Sequence, residues 1–124
     1  MSEWVDAGTV EQLEEPGSRG FDVAGVASGG AAFFVVRKDG EVHAFRNRCP
    51  HTGAPLEWQP DRFLDMDNSF IECAMHGALF RVGDGMCLRG PCAGQALQAL
   101  PIRVKDGKIE VDVSALREET ASAQ

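Results

Sequence analysis

Apolar and polar residues alternate with a period of two along much of the chain, the signature of strands that bury one face. The clearest case is Ile102-Arg103-Val104 followed by Lys108-Ile109-Glu110-Val111-Asp112-Val113. Ile102, Val104, Ile109, Val111 and Val113 fall on one side and charged residues on the other, which predicts a half-buried hairpin. Its turn, Lys105-Asp106-Gly107, carries an Asp-Gly pair, and both residues of such a pair tolerate positive φ. A second Asp-Gly, in Lys38-Asp39-Gly40, separates strands predicted at 31–37 and 41–45. Further short strands are expected at 4–7, 20–24, 69–72 and 78–82, the last turned by Gly83-Asp84-Gly85. No stretch of the body sustains a helical period, and 114–124 reads as a frayed helical turn at most. The pattern predicts an all-β sandwich.

Composition sets the scale. The 124 residues, 44% hydrophobic and 25% charged, suit one globular domain with a modest core. The longest apolar run, 31–36, is six residues. Crossing a bilayer takes about 20, so no membrane anchor is expected. The first residues are acidic where a secretion signal would be basic and then apolar, which points to the cytoplasm. There, four cysteines suit metal and thiol roles better than disulfides. A net charge of −7 argues against nucleic acid or an anionic membrane as partner. Residues 1–45 hold eight acids and three bases, 46–92 six and five, and 93–124 five and four. The acidity therefore sits mostly outside the central segment. It either steers a basic partner toward a near-neutral tip bearing Ala54, Pro55, Met75 and Pro91, or maintains solubility.

The chemistry is concentrated in Cys49-Pro50-His51 and Cys73-Ala74-Met75-His76, separated by 21 residues. One Cys and one His from each of two loops is the ligand set of a [2Fe-2S] cluster whose second iron carries imidazoles. Two ferric ions, two sulfides, two thiolates and two neutral imidazoles sum to zero charge, whereas four thiolates leave a dianion. An added electron costs less on the neutral centre, which raises the potential to roughly −150 to +300 mV from about −400 mV. Each imidazole can also release the proton on its other nitrogen, coupling electron uptake to proton uptake. A Cys2His2 zinc site is an alternative, although Cys-x-His is short for a zinc knuckle. An all-cysteine cluster on Cys49, Cys73, Cys87 and Cys92 lacks the C-x4-C-x2-C run of its class. Buried cysteines and histidines can also be plain core residues.

The segments Cys49-Pro50-His51-Thr52-Gly53-Ala54-Pro55-Leu56 and Cys73-Ala74-Met75-His76-Gly77-Ala78-Leu79-Phe80, with Gly90-Pro91 beyond, resemble the Rieske iron-sulfur family over about residues 3–113. The run Val42-His43-Ala44-Phe45-Arg46-Asn47-Arg48 resembles the strand that leads into its first ligand loop. The resemblance implies a Rieske-like antiparallel β-sandwich spanning a single domain, 1–113, with a small cluster-binding subdomain at about 46–92 and a tail at 114–124. It implies that Cys49 and Cys73 hold the buried iron, and that His51 and His76 hold the outer one, their ring edges being the electron exit. High-potential respiratory members carry a disulfide between the two loops, and here Ala54 and Ala74 or Met75 stand in its place. Those members also carry a serine and a tyrosine that hydrogen-bond cluster sulfur, where this chain has Ala78 and Phe80. The second departure resembles the small Rieske-type ferredoxins and implies a potential toward the lower end of the range.

The function implied is that of a one-electron carrier between a flavin-dependent reductase and a terminal acceptor such as a ring-hydroxylating oxygenase. A nitrite-reductase-like small subunit and a redox-sensing module are the alternatives. An oxygenase's own mononuclear iron needs two histidines and a carboxylate, and only His43 remains once the cluster is ligated. Electron transfer rather than catalysis is therefore expected. Cys87 and Cys92 read as reduced packing residues, 57–68 as a solvated acidic loop, and His43 as solvent-facing.

Overall fold

The apolar run at 31–36 becomes the centre of the fold. The structure is a computed structural model that describes residues 2–26, 31–50, 55–57, 59, 61–74, 77–90 and 93–116. Among these residues the strands are β1 (Trp4–Thr9), β2 (Gly17–Phe21), β3 (Phe33–Lys38), β4 (Glu41–Arg46), β5 (Ile71–Glu72), β6 (Leu79–Phe80), β7 (Cys87–Arg89), β8 (Ala99–Leu100), β9 (Ile102–Lys105) and β10 (Lys108–Asp112). They form three antiparallel sheets, ordered β1-β10-β9, β2-β3-β4-β8 and β5-β6-β7.

Both faces of β3 are covered, which is why its sequence is apolar without alternation. Phe33 and Val35 join Ala44, Leu100, Ile109, Val111 and Val113 in one core cluster, on the side of the β1-β10-β9 sheet. Phe34 and Val36 face the other way and join Phe45, Cys49, Leu56, Phe63, Cys73, Ala78 and Phe80. The middle sheet thus has the β1-β10-β9 sheet on one side and the cysteine-bearing segment on the other. The second of these cores contains the candidate ligands Cys49 and Cys73.

Both Asp-Gly hairpins form as predicted. Asp39 and Gly40 have φ of 55° and 78°, and Asp106 and Gly107 have 53° and 78°, the left-handed pair that a two-residue turn demands. The alternation holds on β10, where Ile109, Val111 and the following Val113 are fully buried. It fails on β9, where Val104 is 47% exposed, because β9 lies at the edge of its sheet, beyond β10. The strand expected at 20–24 is shifted to Gly17–Phe21, paired with β3 from Gly17↔Arg37 to Phe21↔Phe33. The strands β7 and β8 were not expected. Ser114–Leu116 begins a helical turn, with Leu116 buried in the first cluster, while 117–124 lie outside the described residues.

Two other expectations change. The acidic loop at 57–68 is anchored rather than merely solvated: Phe63 is fully buried and its ring stacks on Phe34 at 4.2 Å and 8°. Asp61 also caps this segment, accepting the Gly20 N–H at 2.8 Å, while Ser18 Oγ donates to the Asp61 carbonyl at 2.7 Å. Within the same segment, Trp58 and Pro60 lie outside the described residues. His43 is half-buried, its ring 6.4 Å from that of Phe45.

Asp112, 8% exposed, ties the first strand down, because its Oδ1 accepts the N–H groups of Glu3 at 2.9 Å and Ser114 at 3.0 Å. These two donors hold its pKa below the ordinary carboxylate value, against the opposing effect of burial. A depressed folded-state pKa contributes stability above the unfolded value of about 3.9, and that stability is lost as pH falls through the folded value. Asp112→Ala is therefore expected to cost about 1.5–3 kcal/mol at pH 7 in urea unfolding. The gap to the unsubstituted chain should narrow below pH 4, and an equal gap at both pH values would contradict the assignment.

Candidate metal centre

The two sequence pairs map onto two loops that the structure ties together. The first begins where β4 ends. Asn47 sits at that point, 3% exposed, and its Oδ1 accepts the N–H of Leu56 at 2.8 Å, closing the chain between them into a loop that carries Cys49. The Asn47 Nδ2 donates to the Ala31 carbonyl at 2.8 Å and to Glu57 Oε1 at 2.6 Å. Asparagine suits a site that asks one side chain to accept at one end and donate at the other.

The second loop joins β5 to β6. The Cys73 N–H donates to the Ala78 carbonyl at 2.9 Å and the Gly77 N–H to the Cys73 carbonyl at 3.0 Å, which holds Gly77 and Ala78 against Cys73. Gly77 has φ of 65°, a conformation that a side chain resists. A direct bond links the loops, since the Ala74 N–H donates to the Leu56 carbonyl at 2.9 Å. Gly90, following β7, then presses on the second loop. With φ of 114° it stands so close that a Cβ there would lie 2.9 Å from the Ala78 Cβ. Its neighbour Pro91 lies outside the described residues.

Between these loops the two candidate thiols are brought into one environment. Cys49 is 2% and Cys73 0% exposed, and both belong to the apolar cluster with Leu56, Ala78 and Phe80. His51 and His76 lie outside the described residues, as do Ala54, Met75 and Cys92. Cys87 is buried in the same cluster and its Sγ donates to the Arg89 carbonyl at 3.4 Å. No buried side-chain nitrogen or oxygen among the described residues lacks a hydrogen-bond partner. Among the described residues the surroundings of the cysteines are apolar, with polar side chains satisfied, which suits a soft, sulfur-bound metal core. Two thiols from adjacent loops, shielded from water, fit the cluster that the sequence suggested.

The turn between β6 and β7 is fixed by charge. Arg81 donates to Asp84 through Nε at 3.0 Å and Nη2 at 2.7 Å. That bidentate contact, with the Met86 N–H also on Asp84, lowers the Asp84 carboxyl to about 2. The pair therefore stays ionised at neutral pH, although its exposure limits what it adds to stability. The sequence reading missed Asn47, Glu57 and Phe63. A strand-ending asparagine signals local backbone bonding, but nothing in sequence names a partner nine residues away.

An antiparallel β fold that ends in two mutually bonded, thiol-bearing loops defines a small β-protein built to enclose a metal core. The profile of the Rieske [2Fe-2S] domain matches residues 3–110. The 3-phenylpropionate/cinnamic acid dioxygenase ferredoxin subunit of Photorhabdus laumondii is 35% identical over 108 residues, 86% of this chain and 90% of that protein. The ferredoxin of carbazole 1,9a-dioxygenase from Nocardioides aromaticivorans IC177 superposes with a TM-score of 0.68 at 29% identity, covering 89% of this chain and 97% of that one. A structure of reduced oxygenase with oxidised ferredoxin in carbazole 1,9a-dioxygenase gives 0.70 at 26% identity, covering 88% and 92%. The chain belongs to the Rieske [2Fe-2S] domain family. Membership implies one Rieske-type [2Fe-2S] cluster as its cofactor.

Proposed function

We propose that this protein is a one-electron carrier, a ferredoxin component that takes electrons from a flavin-dependent reductase and delivers them to a terminal ring-hydroxylating oxygenase. The observation that carries the reading is the pair of buried thiols on two bonded loops in a chain 35% identical, almost end to end, to a dioxygenase ferredoxin subunit. Cys49 and Cys73 would hold one iron, and His51 and His76 the other. When bound, the cluster supplies reversible one-electron chemistry. The chain's own residues do the rest: the apolar shell around the cysteines excludes water, and the hydrogen-bonded loops hold the thiols in place.

The division into a base and a cluster-binding subdomain at about 46–92, within a domain of 1–113, is part of this proposal. Its support is that the β5-β6-β7 sheet is drawn wholly from residues 71–89. A cytoplasmic location is also proposed, on the ground that reduced thiols are needed for cluster assembly. Among the described residues no helix is long and apolar enough to cross a membrane. The name of the relative favours the carrier over a nitrite-reductase-like subunit or a redox sensor.

A redox titration of the purified protein, followed by absorbance and paramagnetic resonance, tests the reading. Ala78 is buried and carries no hydroxyl, and neither does the buried Phe80, so the side chains at these two positions offer cluster sulfur no hydrogen bond. The midpoint is therefore expected toward the lower end of roughly −150 to +300 mV. A one-electron transition near the top of that span would contradict it, and iron-free or zinc-loaded protein would refute the carrier altogether.

A further inference from the structure

We propose that Asn47 is the positioning residue of the cluster loops: one amide sets the span of the first loop and, through Leu56, the seat of the second. The proposal rests on the ligand set assigned to Cys49, His51, Cys73 and His76 above. The hydrogen bonds of the Asn47 side chain among the described residues go to Ala31, Leu56 and Glu57, so its part is to hold the loops rather than the metal.

Its commitments are complete. Oδ1 accepts from Leu56, Nδ2 donates to Ala31 and Glu57, and the backbone N–H of Asn47 donates to the Ala32 carbonyl at 3.1 Å. The orientation of the amide follows from its neighbours, because the Leu56 N–H requires an acceptor and the Ala31 carbonyl a donor. Glu57 locks the same junction from the other side, its Oε1 also accepting the Ala31 N–H at 3.2 Å. Three chain segments meet here: the entry to β3, the start of the first loop and its end. From Leu56 the connection continues, since its carbonyl receives the Ala74 N–H and Ala74 follows Cys73. A shift at Asn47 therefore reaches both thiols.

The site discriminates sharply between side chains. Alanine would leave the N–H of Leu56, a residue with no exposure, and the Ala31 carbonyl without partners. Aspartate would keep the acceptor for Leu56 but set a carboxylate against the Ala31 carbonyl and the Glu57 carboxylate. Both changes should act on the loops more than on the sheets, because the β3–β4 ladder does not depend on the Asn47 side chain.

The test compares the unsubstituted chain with Asn47→Asp, Asn47→Ala, Glu57→Ala and Glu57→Gln. Cluster loss to a chelator, the paramagnetic spectrum of the reduced protein and amide hydrogen exchange of the iron-free protein are measured. Asn47→Asp and Asn47→Ala are expected to lose iron at least about tenfold faster, with shifted or broadened resonances and faster exchange at Leu56 and Ala74. Glu57→Gln, which keeps an acceptor for Nδ2, should stay within about twofold of the original, with Glu57→Ala in between. Iron loss within twofold and a superimposable spectrum in both Asn47 variants would overturn the proposal. Should neither accumulate as folded protein, Glu57→Ala decides, and unaltered behaviour there overturns it. Hydrogen exchange separates the two ideas. If the unsubstituted chain carries no mixed-ligand cluster, the ligand assignment fails, while protection at Leu56 and Ala74 that depends on Asn47 still supports the clamp.

Discussion

Replacing His51 or His76 with alanine is expected to abolish the mixed-ligand paramagnetic signature, and Cys49→Ser or Cys73→Ser to leave a colourless protein that takes up almost no iron on anaerobic reconstitution. The two classes differ for a physical reason. In the proposed ligand set the thiols are the anionic members; they sit in an apolar cluster, 2% and 0% exposed, where a serine hydroxyl would offer a metal neither charge nor a soft donor. The imidazoles are neutral, and losing one removes the feature that separates this centre from an all-thiolate one. Iron content, the visible spectrum and far-ultraviolet dichroism taken together distinguish ligand loss from unfolding. The cysteine variants should keep the β spectrum, because both loops are also held by backbone bonds such as Ala74 to Leu56. An unchanged spectrum in either histidine variant would eliminate the ligand assignment.

Truncation of Phe63 to alanine should be strongly destabilising. The ring has no solvent exposure, lies 4.2 Å from Phe34 in a stacked arrangement, and meets the backbone at Gly20, where a Cβ would come within 3.1 Å of Cε2 and Cζ. Phe→Ala at such sites costs about 3–5 kcal/mol through lost transfer energy and the cavity left behind. Against a total of about 5–15 kcal/mol, that is a large share. Urea unfolding of the iron-free variant is expected to show the drop, with an unchanged slope. A loss below about 1 kcal/mol would mean that the segment after Asp61 is not anchored by this ring.

The sequence made some of this legible and concealed the rest. The Asp-Gly hairpins were readable because positive φ at two successive positions restricts the residues that fit, and those residues are present. The two Cys-His pairs stood out because these residue types carry their chemistry in their identity, and the structure places Cys49 and Cys73 in one buried cluster. What escaped depended on distant partners. Phe63 sits among Asp61, Asp65 and Asp67, so local polarity suggested a solvated loop, and only the approach of Phe34 gives the ring a place to go. Val104 alternates correctly, but sequence cannot show that β9 lies at a sheet edge. The strands β7 and β8 are three and two residues long, too short for any period to register. Asn47 is a single polar residue whose role is set by Ala31, Leu56 and Glu57, none of them adjacent.

Strand β1 pairs with β10, Trp4 lying opposite Asp112. Strand β1 therefore waits for β10, at a sequence separation on the order of a hundred residues, whereas both Asp-Gly hairpins can close as they emerge. At about 5–20 residues per second this leaves β1 unpaired for roughly 5–20 seconds of synthesis. The segments bearing Cys49 and Cys73 are translated inside that interval, after the β3–β4 hairpin and before the β1-β10-β9 sheet can close.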